Sequence, residues 1–139
     1  MPGIARVLVV ANRTADSEEL LAALVERQEQ GDINVTLLAP ARWETTTHDG
    51  ALAAQKHLQV ATGRLHEAGI EAEGVVGNAD PFTAVEQTWD PERFDEVIVA
   101  TLPEHLSHWL RLDLTSRVER LIGRPVQHVI GHERARAPD

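Results

Sequence analysis

The chain contains no cysteine. Disulfides and thiol catalysis are therefore excluded. A structural zinc would have to use His and carboxylates, which is uncommon. Lysine is almost missing, since Lys56 is the only one. No apolar stretch approaches the roughly 20 residues needed to span a membrane. The opening residues, MPGIARVLVVA, lead straight into a strand-like run and lack a signal-peptide layout. The expected compartment is the cytoplasm, with no membrane partner. Positive charge is also in deficit, because the formal net charge is −9. That argues against nucleic-acid binding, which depends on neutralising phosphates with Lys and Arg.

Glycine is absent where phosphate-binding motifs need it. A dinucleotide-binding G-x-G-x-x-G would follow the first strand, and the residues there are ANRTAD. No glycine run precedes the lone lysine, so a P-loop is excluded. Asn12 and Arg13 stand where a receiver domain would place clustered acids. No nucleophile elbow with a Ser/His/Asp order is visible. His105 and His108 are three apart on a helical stretch and could face one way. No nearby carboxylate supplies a third ligand at convincing spacing, so no metal is expected. The remaining histidines are scattered, and no cofactor is implied.

What is present fits one globular domain. The 139 residues are 42% hydrophobic and 25% charged, normal for a chain that buries a core. Five apolar runs have parallel-strand character: Ile4 to Ala11, Ile33 to Ala39, Ile70 to Val76, Glu96 to Thr101 and Val126 to Ile130. VLVVA and VIVA show no alternation, as strands buried on both faces do. Helical patterns lie between them. SEELLAALVERQ follows the first strand, with Asp16 and Glu19 spaced as a capping pair. Ala51, Ala54, Leu58, Ala61, Leu65 and Ala68 recur at helical spacing, and Gly69 closes that helix. Pro81 to Trp89 forms a shorter helix. The last helix is expected from about Pro103 to Ile122, with Leu106, Leu110, Leu114, Val118, Leu121 and Ile122 on one face. Gly123 and Pro125 end it.

Alternating strands and helices imply a mostly parallel sheet with helices on both faces, a Rossmann-like α/β fold. The expected domain spans 1–130, and the polar tail 131–139 is expected to fray. The segment APARWETTTHD, from Ala39 to Asp49, reads as a long polar loop. Arg111, Arg117, Arg120, Arg124, Arg134 and Arg136 are interrupted by Asp113, Glu119 and Glu133, which reads as a solvated face. Trp43, Trp89 and Trp109 read as packing groups, because no basic surface interleaves them.

The order of elements, the turn RVLVVANRT, the segment GNADPFTAV and the run FDEVIVAT to SRVERLIGRPVQHV resemble the universal stress protein family, across most of the chain. The chain also looks like a divergent single-domain subgroup common in high-GC bacteria. The resemblance implies five parallel strands in the order 3-2-1-4-5, a stress-related role and a homodimer formed through the last strand.

Nucleotide-binding members carry G-x2-G-x9-G-[S/T] after the fourth strand. The same spacing falls here on Leu102, His105, Thr115 and Ser116, so only the final hydroxyl is kept. Glycine lets a backbone approach phosphate closely. Leu102 and His105 add side chains there, and Pro103 removes a backbone donor. Glu104 already complements the helix start, which disfavours a second anion. Asn12 stands where the family has an acid. The expectation is a non-enzymatic regulatory or scaffolding module that does not bind ATP in the family manner.

In an open α/β sheet the ligand crevice forms where the strand order reverses, here between strands one and four. Asn12, Arg13, Thr101, Leu102 and His105 would line it, and Ala39 and Gly77 could form the wall that holds adenine in the family. The favoured reading is that large apolar groups such as Leu102, Leu106 and Trp109 fill it, each burial contributing roughly 1.5–3 kcal/mol. The alternative is a small-molecule or nucleotide site in a modified crevice, anchored by Arg13 and Ser116. An enzyme of a related nucleotide hydrolase-like superfamily, or a histidine-dependent hydrolase, is disfavoured, since nothing groups a nucleophile, a base and an oxyanion site.

Overall fold

The computed structural model describes residues 4–11, 17–40, 49–78, 80–101 and 114–130. Five strands, β1 (Ala5–Val10), β2 (Ile33–Pro40), β3 (Glu71–Gly77), β4 (Glu96–Thr101) and β5 (Gln127–Ile130), alternate with four helices. The helices are α1 (Glu18–Gln30), α2 (Asp49–Glu67), α3 (Pro81–Thr88) and α4 (Leu114–Ile122). All pairings are parallel, in the order β3-β2-β1-β4-β5.

The sequence pattern of each strand follows from its place. β1 and β4 are central, so both faces are covered and their residues Val7 to Val10 and Val97 to Ala100 are all buried. Strand parity divides the core in two. Val7, Val9, Leu37, Ile98 and Ala100 pack with Leu20 and Leu24 of α1 and with Leu58 and Leu65 of α2. Leu8, Val10, Leu38, Val97 and Val99 pack with Ala84 and Val85 of α3 and with Leu114 and Val118 of α4. β2 alternates instead in its first half. Its Asn34 is exposed and its Thr36 half-buried, because the α3 side of the sheet is open there.

Helix ends carry the expected chemistry, with one correction. Ser17, not Asp16, is the N-cap of α1, and its hydroxyl accepts the Leu20 N–H at 3.1 Å. The cap position is thus one residue later than the Asp16–Glu19 pair implied, and Glu18 and Glu19 both fall in the first turn. Asp80 caps α3, accepting the Thr83 N–H at 2.9 Å, with Pro81 opening the helix. Gly69 and Gly123 end α2 and α4 with φ of +83° and +71°, the left-handed geometry that favours glycine.

Other expectations shift slightly. Ile4 is 54% exposed and precedes β1. Ala68 lies in the turn after α2 and is exposed, while Leu58, Ala61 and Leu65 are buried as the spacing predicts. On α4, Leu114 and Val118 are buried but Leu121 is 36% exposed, so it leaves the core face. Trp89 stacks on Phe94 with ring centroids 6.1 Å apart, a packing role. Two of the C-terminal arginines are engaged within the fold: Arg117 lies 4.0 Å over the Phe82 ring, and Arg124 donates to the Asp95 carbonyl. Residues 41–48, 102–113 and 131–139, on which the expected polar loop, the first half of the expected last helix and the expected tail fall, lie outside the described residues.

The amino-terminal end of the sheet is clamped by ion pairs. Asp95, just before β4, accepts from the Arg6 backbone N–H at 2.8 Å and from its guanidinium at 3.3 and 3.2 Å. Arg6 holds the Asp95 carboxyl below the usual carboxylate range through these bonds. Arg27 of α1 makes a two-pronged contact to Glu96 at 3.0 and 3.3 Å.

Candidate functional site

The order of the strands reverses between β1 and β4, so the crevice lies outside their carboxyl ends. Ala11 extends the ladder there, its N–H donating to the Leu38 carbonyl at 3.0 Å. Ala39 is the penultimate residue of β2 and is fully buried, and Thr101 ends β4 with 2% exposure. Gly77 ends β3 opposite Pro40. The first turn of α4 reaches the same end of the molecule. Beyond its far end, Arg124 binds Asp95 at the amino end of β4, so the helix starts near the carboxyl end. Thr115 is half-buried there and Ser116 exposed. Asn12, Arg13, Leu102 and His105 lie outside the described residues.

The shared end does not mean a shared face. Ala39 packs in the cluster beneath α1 and α2. Gly77 faces the other way, toward Leu38 and Ala84 of the α3 side. A Cβ on Gly77 would stand 2.7 Å from Leu38 Cδ1 and 3.0 Å from Ala84 Cβ. Side chains of the core therefore occupy the space beside Gly77.

Thr101 has a partner that sequence reading passed over. Its hydroxyl lies 3.1 Å from Nε2 of His128 on β5. Both residues fall on the α3 side by strand parity, since Val99 and Val126 pack there. His128 stands opposite Val99 in register, one strand pair short of the Thr101 level on that face. Burial lowers the His128 pKa from its ordinary value, because the apolar surroundings disfavour the imidazolium. The side chain is thus neutral at pH 7, and can hold the threonine hydroxyl as donor or acceptor. The signal was available only through register: a Thr and a His, each on the same parity of neighbouring strands.

The α1 start is not an open anion site. Ser17 already satisfies one N–H, and Glu18 and Glu19 place two carboxylates in the first turn. Among the described residues no group of three His, Cys, Asp or Glu comes together in metal-binding geometry. No helix among them is long and apolar enough to cross a membrane.

Several solved structures that share this architecture are universal stress proteins. The universal stress protein from Archaeoglobus fulgidus in complex with dAMP superposes with a TM-score of 0.64 at 15% identity, over 93% of this chain and 99% of that one. A universal stress protein family protein from Arabidopsis thaliana with AMP bound gives 0.64 at 14% identity, over 92% of each chain. The chain has the universal stress protein fold. A family protein from Burkholderia pseudomallei matches at 0.56 and 15% identity, over 91% of this chain and 98% of that one. No protein-family model matches the sequence, and no curated protein does. The universal stress protein likeness thus rests on the arrangement of the chain, not on residue identity.

Proposed function

We propose that the protein is a non-enzymatic, universal stress protein-like module with a degenerate nucleotide loop. Its role is regulatory or scaffolding, in the cytoplasm, and it does not bind ATP in the manner of glycine-bearing members. What supports this reading is that Leu102, His105 and Thr115 stand where the family's spacing would place three glycines, in a chain with the universal stress protein fold. The occupied space beside Gly77 supports it. The module pairs with a second copy through β5, whose Ile130 is 45% exposed.

The test is equilibrium dialysis and a thermal-shift titration with ATP and magnesium. No binding is expected up to millimolar nucleotide. Micromolar binding overturns the reading of the lost glycines. Sedimentation of the purified chain tests the dimer, and an Ile130→Lys variant is expected to be monomeric.

A second reading keeps a small molecule or nucleotide in a modified crevice. It is favoured by the AMP and dAMP held by two proteins of the same fold, and by the polar Thr101–His128 pair at the carboxyl end of β4 and β5. AMP is the probe. Arg13→Ala should weaken its binding while leaving the melting temperature nearly unchanged. Equal binding by that variant removes Arg13 from the site. Nucleotide hydrolysis that His105→Ala abolishes would replace both readings with an enzyme.

A further inference from the structure

The edge of the sheet farthest from β5 is long and regular. β3 is the outer strand among the described residues. It runs seven residues in unbroken register with β2, without a bulge or a proline. Natural edges are usually blunted by short length, proline, bulges or charged side chains; of these, β3 carries only the charges of Glu71 and Glu73. β5, by contrast, has only four residues.

Both faces of the β3 edge open into a groove. On the α3 side, α3 is only eight residues long, so it spans about 12 Å and leaves the amino-terminal half of β2 and β3 uncovered. A groove of about 390 Å³ lies there, floored by Asn34, Thr36, Glu71 and Glu73 and walled by Arg93 and Phe94. On the other side a groove of about 310 Å³ runs between α2 and β3, lined by Leu58, Gln59, Thr62, Gly74 and Val76. At Gly74 the helix lies directly on the strand, since a Cβ there would meet Leu58 Cβ at 2.9 Å. Val75, on the first face, is 38% exposed.

Charge sets the occupant. Arg6 borders the first groove, but its guanidinium is held by Asp95. The guanidinium of Arg93 lies 5.7 Å over Phe94. Glu71 and Glu73 are two apart and therefore project from the same face of an exposed edge. The chain as a whole carries a net charge of −9, which disfavours a second copy at this acidic edge.

We propose that the β3 edge binds an extended basic segment of a partner protein by strand addition. Main-chain hydrogen bonds to β3 hold the segment, and alternate side chains enter the two grooves. On the α3 side, Lys or Arg residues two apart meet Glu71 and Glu73. On the α2 side, small apolar residues sit against Leu58, Gly74 and Val76. His66 Nε2 lies 3.0 Å from the Ala72 carbonyl in an exposed contact, and the segment displaces it to pair along the strand beside Glu71 and Glu73.

The probe is a synthetic heptapeptide, acetyl-Thr-Lys-Val-Lys-Val-Lys-Thr-amide, titrated into the full chain with amide NMR and fluorescence anisotropy. A version with Glu for Lys, and one with Pro for the central Lys, serve as controls. The Lys peptide should shift amides from Glu71 to Gly77, and the proline version should bind at least about tenfold more weakly, since it loses a ladder donor. The doubly reversed variant Glu71→Lys with Glu73→Lys should lose the Lys peptide about tenfold and gain the Glu peptide. Absence of binding, shifts confined to β5, or equal affinity of the reversed variant for the Lys peptide overturns the proposal. So does self-association of the untreated chain through β3, lost in the reversed variant.

Discussion

Gly77→Ala tests whether the α3 side of the crevice wall is closed. The new methyl would meet Leu38 Cδ1 at 2.7 Å and Ala84 Cβ at 3.0 Å. Carbon atoms attract best at about 3.5–4.0 Å, so both contacts are repulsive. Leu38 Cδ1 ends a side chain, but Leu38 is wholly buried within the packed core. Ala84 moves only if α3 moves. Overpacking of this kind costs about 1–3 kcal/mol. Leu38→Ala alone should cost about 2–5 kcal/mol through lost burial and a cavity. In the double variant the methyl introduced at position 77 takes up part of that cavity, so the combined loss should fall short of the sum by about 0.5–3 kcal/mol. Urea unfolding measures all four corners of the cycle. With a slope of about 1–3 kcal/mol/M, the single glycine variant should move the midpoint by roughly 1 M. A Gly77→Ala protein within about 0.5 kcal/mol of the parent, or strict additivity in the cycle, would show that the wall has room. The pocket-filling reading would then lose its support at this position.

Four further substitutions test other contacts. Ser17→Ala removes the α1 cap at a fully buried position and should cost about 1 kcal/mol in chemical denaturation; no loss would mean that a neighbouring residue caps α1. Asp95 has a depressed folded pKa, so its stabilising effect is complete above the unfolded carboxylate value of about 3.9 and fades as pH falls through the folded value. Asp95→Asn should therefore be less stable than the parent at pH 7, and the gap should close on acidification; a gap that persists at pH 2 refutes the pairing as its cause. His128 is also depressed, by burial. Its neutral form is the one the fold favours, so its contribution is present above about pH 6.5 and is lost as pH falls through the folded value. His128→Asn should flatten that part of the stability profile, and Thr101→Val should cost about 1 kcal/mol at pH 8 by breaking the shared hydrogen bond. An unchanged slope in His128→Asn would assign the titration to another group.

The fold was legible because burial on two faces writes itself plainly. Val7 to Val10 and Val97 to Val99 show no alternation, and they are the central strands. The helix stops were legible for a similar reason, since Gly69 and Gly123 are needed at positive φ. The cap of α1 was misplaced by one residue because Asp16 and Ser17 are both good caps, and only the backbone decides between them. Leu121 fell off the core face because a 3.6-residue period drifts between adjacent apolar positions, and Ile122 took the inward place. The strand order rested on likeness, since nothing in local patterning distinguishes 3-2-1-4-5 from another parallel order.

The site was legible by end but not by face. Counting to the last residue of each strand does bring Ala39, Gly77 and Thr101 to the carboxyl end of the sheet. Parity then separates them, because a shift of one residue turns a side chain to the opposite face. Ala39 lies under α1 and α2, whereas Gly77 and Thr101 look toward α3 and α4. A ligand confined to the α1 and α2 side would meet Ala39 alone of the three. A ligand confined to the α3 side would meet Thr101, His128 and the occupied space at Gly77. These two arrangements separate experimentally. Substituting His128 should change binding of any small molecule in the second case and leave it untouched if contacts are confined to the α1 side. The same parity argument applied to β3 explains why its two glutamates went unremarked in the sequence. The run from Ile70 to Val76 reads simply as one of five parallel strands, and its polar start points to no groove. Only the short reach of α3 reveals that the polar half is a groove floor.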